Sequence, residues 1–396
     1  MARRRRTMWA AVSAGVLALV ASACGGTAQH PQAGPPPTST TTVAPKTTTT
    51  ASHGPPTNSK RARHNQRGRQ NQHGRHKQRG RRIAAHRVAY HGPPLCPLNG
   101  LPAPHGRVPH RAALAVKVEN LPQARPQWGL DEADIVFEEP VEGGITRFIA
   151  VFQCHQAPRI EPVRSARIID PAILEPLGHI LFAYSGAIQP VVARVDAPGS
   201  LLEDVSAYKA PQAYWTDPTR YAPHNFESST AALWAAARAL HYRQTPPTPI
   251  FSYGHAVQGG TPAASVSIHF PLDVTTWTWD RRTGVYNRSY SDTGPGLLGD
   301  GRQITASNVV VMLMHEYVTQ YSEDPLGAHE YGLIMRGSGP AWVFRDGAVF
   351  YGHWERPKLD HPYVFIEKKN GAVIRLTPGN TWEELVPQGL DVAVQP

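Results

Sequence analysis

Charge is divided along this 396-residue chain so unevenly that its two parts cannot share one folding logic. Residues 1–93 contain 16 of the 40 Lys and Arg residues and no Asp or Glu; residues 94–396 carry the other 24 with all 30 acidic residues, a net charge of −6. The overall excess of +10 therefore belongs to the N-terminal stretch. The remainder is long enough to pack two cores, and it lacks the basic excess that marks a nucleic-acid-binding body.

Within the basic stretch, arginines at 3–6 precede a short apolar run over 8–20, and Ala21-Ser22-Ala23 stands directly before Cys24. This order reads as a signal peptide over 1–23, the run being too short for a permanent span. Cys24 followed by Gly25-Gly26 resembles a bacterial lipobox, so the expectation is a lipidated Cys24 anchoring an extracytoplasmic protein to the cell membrane; simple secretion is the alternative. Residues 24–93 read as a disordered linker. Thr and Pro dominate 27–57, and a polar six-residue repeat fills 65–82 (NQRGRQ, NQHGRH, KQRGRR), a composition that buries no core. No aromatic interrupts 61–87, which argues against single-stranded nucleic acid. The segment reads as a solvated spacer that touches nothing specific; the alternative is a counter-charge from anionic lipid or an anionic cell-wall polymer, and an envelope protein is the other partner considered for the chain.

With Cys24 assigned to lipid, Cys96 and Cys154 remain as a pair. In an oxidising compartment they read as a disulfide, the alternative being two buried thiols. Neither has a ligand-spaced partner, and no motif calls for a metal or another cofactor.

From about residue 94 the pattern becomes that of a folded body. Strands are expected over 111–118, 133–138, 145–153 and 179–184, and helices over 171–178 and 229–242, the latter capped by Ser228 or Ser229. Thr245-Pro246-Pro247-Thr248-Pro249 marks a boundary. Beyond it the chain reads as strands over 265–270, 274–279, 284–290, 308–318, 331–336, 341–344, 348–354, 363–368 and 372–376. Asp346-Gly347 and Asn370-Gly371 supply tight-turn signals. The expected class is α+β: a mixed α/β-type domain over 94–245, then a strand-rich, mainly antiparallel domain over 262–396.

Several short motifs resemble the YerB-like lipoproteins, a two-domain bacterial family without an established biochemical function. They are Pro97-Leu98-Asn99-Gly100-Leu101-Pro102, Arg125-Pro126-Gln127, Glu142-Gly143-Gly144-Ile145-Thr146-Arg147, Pro162-Val163-Arg164-Ser165-Ala166-Arg167 and Ala222-Pro223-His224-Asn225. In the second domain Gly284-Val285-Tyr286-Asn287-Arg288 and Pro378-Gly379-Asn380-Thr381-Trp382 continue the resemblance. It covers about residues 94–390, implies an α+β fold and brings no reaction.

The residues themselves single out an arginine group. In a strand over 145–153, Arg147 shares a face with Ile145, Ile149 and Val151, so its guanidinium needs a carboxylate from Asp134, Glu138, Glu139 or Glu142, or an anionic ligand. Arg164 and Arg167 add forks suited to carboxylate or phosphate. His224-Asn225 lies in a loop before the long helix and pairs a proton-transfer group with an orienting amide. One reading is a ligand-binding cleft of Arg147, Arg164, Arg167, His224 and Asn225; another is an Arg–carboxylate network that only fixes the fold. A third is an envelope hydrolase or transferase using Glu142 or His224.

Overall fold

The computed structural model describes residues 92–254, 259–323 and 327–396. The expected signal peptide, Cys24 and the basic repeat lie outside the described residues.

Apolar runs broken by few polar residues make the first strands, β1 (Ala113–Glu119), β2 (Ile135–Pro140) and β3 (Thr146–Phe152), and every residue in them is buried. Strands covered on both faces need no alternation of polar and apolar residues. A short helix α1 (Asp170–Leu174) leads to β4 (Ile180–Ala183), and α2 (Gln189–Val195) leads to β5 (Leu202–Asp204). A small pair, β6 (Tyr214–Thr216) and β7 (Phe226–Ser228), precedes α3 (Thr230–Ala239), whose first turn is capped by Ser229 accepting from the Ala232 amide. The second half contributes β8 (Ser265–His269), β9 (Val274–Asp280), β10 (Val285–Tyr290), β11 (Asn308–Met314), β12 (Glu316–Ser322) and β13 (His329–Leu333). It ends with β14 (Gly337–Arg345), β15 (Ala348–Arg356), β16 (Val364–Glu367), β17 (Thr381–Pro387) and β18 (Val392–Gln395).

Ten of these strands form one mixed sheet in the order β16-β15-β14-β11-β17-β2-β3-β1-β4-β5, with the two-residue strand Thr261–Pro262 added to β15. The decisive element is β17. It pairs parallel with β2 on one side (Ile135 with Thr381) and parallel with β11 on the other (Asn308 with Thr381). One sheet thus runs unbroken through both halves of the sequence. Antiparallel β8, β9, β10 and β18 form a second sheet, and β12 and β13 pair only with each other.

The large sheet has a core on each face. Val116, Phe148, Ala150, Val311 and Trp382 face one way and pack with Trp234 of α3 and with Trp277 and Tyr286 of the second sheet. Ala115, Ile135, Ile149, Val151, Val310 and Leu385 face the other way, under Ile173 of α1 and Val191 of α2. Both alternations follow the strand period of two.

Two strand expectations are corrected. The single strand over 308–318 is two, because after Met314 the chain leaves the sheet: His315 accepts the Ile334 amide at 2.9 Å, and the following residues pair with β13. The segment 372–376 is no strand, since it divides its bonds between Phe365 and Ser252 and builds a ladder with neither. Strands β5, β6, β7, β17 and β18 and helix α2 went unread, being short or, in β17, carrying Glu383 and Glu384 in mid-strand.

Candidate functional site

At one end of β1, β2 and β3 the apolar rows become charged. Lys117 and Glu119 of β1, Glu139 of β2 and Arg147 of β3 continue the face that carries Ala115, Phe137 and Ile149. The register places Arg147 opposite both Glu119 and Glu139. All four are buried, so each charge needs a partner in place. Lys117 ion-pairs with Glu139 and, at 2.9 Å, with Asp170 at the start of α1. Burial still pushes its ammonium down, to about 8.

Two glycines bring in the next acid. Gly143 and Gly144 both have φ above +70°, and a β-carbon on Gly144 would stand 3.0 Å from Pro271; the tight turn they make delivers Glu142 to the arginines. Glu142 accepts from Arg167 Nε at 2.8 Å, pairs also with its Nη2, and lies 3.4 Å from Arg147 Nη2. Burial opposes ionisation, but the Arg167 hydrogen bonds and the Arg147 charge outweigh it and hold the carboxyl at about 2. Arg147 donates to the Ser165 carbonyl at 3.2 Å, and burial together with the neighbouring Arg167 lowers it to about 10.

Arg167 has acids on a second side. Glu323, just beyond β12, lies 3.1 Å from Nη1, and Glu330 of β13 lies 3.8 Å from Nε while its other oxygen accepts the Ile168 amide at 2.8 Å. Burial, and then the hydrogen-bonded Glu323 carboxyl, push Glu330 up to about 8.

Arg164 and His224 meet elsewhere, at Glu119. This buried carboxylate stands 3.2 Å from Arg164 Nε and 2.9 Å from His224 Nδ1, and the ring of Tyr221 lies edge-on to the imidazole at 5.2 Å. Among the described residues Arg164 Nε has no hydrogen bond, only this ion pair, and about a fifth of that side chain is exposed. Asn225 makes its contact elsewhere: its carbonyl accepts the Asp217 amide at 2.8 Å, and Asp217 in turn pairs with Arg159.

The expected cleft is thus two adjoining sites. Arg147, Arg167 and Glu142 form a buried ion-paired knot, Arg164 and His224 stand beside it around Glu119, and the expected Asn225 is not joined to that carboxylate. Arg167 is only 3% exposed and lies with Arg147 instead of with His224. Of the expected carboxylates, Glu142 and Glu139 lie at this knot, while the partners Lys117, Glu119, Asp170 and Glu330 were missed. For the first two a signal existed: they fall in phase with the inward apolar row of their strand.

A second polar group lies on the opposite face. Arg288 of β10 bonds to Glu138 at 2.6 Å and Glu384 at 3.2 Å; Glu138 also accepts from Thr146 and Asn120, and Glu384 from the Trp277 indole at 2.8 Å. The three charged side chains have no exposed surface. Burial and the adjacent Glu138 carboxylate push Glu384 well above the ordinary range. The expected Cys96–Cys154 disulfide is present, S–S 2.09 Å, in a separate small cluster with Ala103.

Two family models match this chain: the N-terminal domain of the protein of unknown function DUF3048 over residues 98–243, and the C-terminal domain of the same family over 266–382. A curated relative, "Putative lipoprotein YerB" of Bacillus subtilis (strain 168), is 26% identical over 302 residues, which span 75% of this chain and 87% of the relative. The crystal structure of the YerB protein from Bacillus subtilis superposes with a TM-score of 0.65 at 23% identity, covering 76% of this chain and 99% of that one.

Proposed function

The chain belongs to the YerB-like family that carries the two DUF3048 domains, and from that premise we propose that it is a lipid-anchored extracytoplasmic protein whose α+β body binds an anionic ligand of the cell envelope at Arg164 and His224. The anchor is supported by the order of apolar run, small residues and Cys24, and by the lipoprotein name of its relative. In this reading 24–93 is the linker, and the family's two sequence domains, 94–245 and 262–396, form the body.

One observation carries the binding site. Glu119 is buried, is hydrogen-bonded to one ring nitrogen of His224 and stands 3.2 Å from the inner nitrogen of Arg164, an ion pair without a hydrogen bond. A buried carboxylate that holds an imidazole and draws a guanidinium toward it restricts both side chains, which lowers the entropy lost on binding. Arg147 and Arg167 back this corner as fold-fixing charges. Glu142, ionised and doubly paired, is a poor proton acceptor, which favours binding over hydrolysis.

Titration of the full chain with poly-L-glutamate and with inorganic polyphosphate tests the site. Arg164→Ala and His224→Ala should each weaken binding about tenfold, the value of one charge-assisted hydrogen bond; Arg164→Ala should leave the melting temperature nearly unchanged, whereas His224→Ala, which removes the hydrogen bond to the buried Glu119 carboxylate, should lower it. Equal binding by wild type and both variants overturns the reading. Release of soluble fragments from purified peptidoglycan by wild type and not by His224→Ala replaces it with catalysis, since a carboxylate-held imidazole also suits a general base. Cys24→Ser should shift the protein from the membrane to the soluble fraction.

A further inference from the structure

Arg164 and His224 have exposed aromatic neighbours. Tyr208 and Tyr221 keep 72% and 64% of their surface in water, more than any other tyrosine, tryptophan or phenylalanine among the described residues. Singly such rings are ordinary; two at the border of one charged corner are not. Tyr221 lies against His224 with its ring nearly perpendicular to the imidazole, and the His224 amide donates to its carbonyl at 3.0 Å. The loop is held in place, for Arg220 donates to the Ala124 carbonyl at 3.1 Å and the Asp217 amide to the Asn225 carbonyl at 2.8 Å. Tyr208 follows β5 in a turn closed by the Lys209 and Ala210 amides on the Ser206 carbonyl, at 3.1 and 2.8 Å. Its hydroxyl and Oγ of Ser165, the residue after Arg164, both approach Gly186, 3.4 and 3.9 Å from the place a β-carbon would take there. Both rings thus sit on a fixed backbone and face water, so covering them costs a ligand little ordering of the protein.

A ring left open at the surface suits a body with one flat apolar side and a rim that stays hydrated. A sugar has that form: C–H groups on one side meet the negative face of a tyrosine, while its hydroxyls keep their water. In a uronate the carboxylate is attached to the ring itself, so one residue spans an aromatic face and a guanidinium. Polyglutamate and polyphosphate bring charge without a ring. Single-stranded nucleic acid brings a charge with every ring, whereas a polysaccharide of alternating uronate and neutral sugars brings half as many to a body of net charge −6. We propose that the anionic ligand at Arg164 and His224 is such an acidic polysaccharide, with a uronate carboxylate at Arg164 and sugar faces on Tyr221 and Tyr208. This rests on the anion-binding reading above and narrows its ligand to one class.

Titration of the full chain at one ionic strength with hyaluronan, poly-L-glutamate, dextran and polyuridylate separates ring from charge. Hyaluronan should bind about fivefold more tightly than poly-L-glutamate, the value of an aromatic contact, and dextran, which has rings without charge, should bind more weakly than either. Tyr221→Ala should remove most of the preference for hyaluronan and Tyr208→Ala/Tyr221→Ala all of it, with poly-L-glutamate binding unchanged as the sign that both variants fold. Arg164→Ala should weaken binding of both polyanions. A preference absent from the wild type overturns the proposal whether or not the variants fold, and so does one that survives in the double variant. Tighter, tyrosine-dependent binding of polyuridylate overturns it in favour of nucleic acid. If Arg164→Ala still weakens poly-L-glutamate binding in any of these cases, only this inference falls. If no polyanion binds, or Arg164→Ala affects none, the anion-binding reading falls with it.

Discussion

The two faces of the large sheet carry similar charges to different ends. On one face, Arg147, Arg167, Glu142 and Lys117 form a knot whose margin reaches solvent at Arg164 and Glu142, with about a fifth and a seventh of their side chains exposed. On the other, Arg288, Glu138 and Glu384 are sealed, with Phe148, Trp277, Tyr290 and Trp382 all within 5.2 Å of the guanidinium carbon. A sealed ion group can only hold elements together. Here it joins β2 from the first sequence half to β10 and β17 from the second. An ion group with an open margin can exchange one of its partners for a ligand. Access separates them, not composition.

The largest expected effect lies on the sealed face. Arg288→Ala strands two buried acids and should cost about 3–5 kcal/mol in urea unfolding; a loss below about 1 kcal/mol would break the contrast. Arg147→Ala should cost less, about 2–3 kcal/mol, since its closest carboxylate is 3.4 Å away and its Nε has no partner even in the wild type.

Stability against pH sharpens the comparison further. Glu142, held at about 2 against an ordinary 4.5, contributes stability that is present above about 4.5 and is lost as pH falls toward 2. Glu384 is shifted the other way, so its contribution is present below about 4.5 and is lost as pH rises through its elevated value. Glu142→Gln should therefore flatten the acid limb of the stability profile, by about 3 kcal/mol at most, and Glu384→Gln the alkaline limb. The reverse assignment would show that the faces do not titrate separately. The smallest effect belongs to Arg164→Ala, a partly exposed pair expected to change stability by less than about 1 kcal/mol, with its consequence appearing in ligand binding alone.

Much of this frame was legible in local pattern. The alternation over 145–153 placed Arg147 in an apolar row and so required a carboxylate near it, and Glu142 was among those named. Ser229 and the Ala-rich stretch after it specified α3, and the pairing of Cys96 with Cys154 followed from a count of three. Local pattern could not show that Arg164 and Arg167 part company, since residues three apart outside a helix point wherever the chain's path takes them.

The sequence by itself determined which segments are apolar on which face, where turns fall, and that the arginines would need acids. Tertiary structure alone decided which acids. The clearest case is β17, whose Thr381-Trp382-Glu383-Glu384-Leu385 reads as a polar segment after a turn. It becomes a central strand because Arg288, nearly a hundred residues earlier in the chain, hydrogen-bonds Glu384, while β2 and β11 satisfy its backbone on both sides. Glu384 has no reason to be buried until those distant partners are in place, and nothing within the strand's own seven residues encodes them; Glu383, on the other face, is buried without a hydrogen-bond partner, and burial pushes its carboxyl up to about 8.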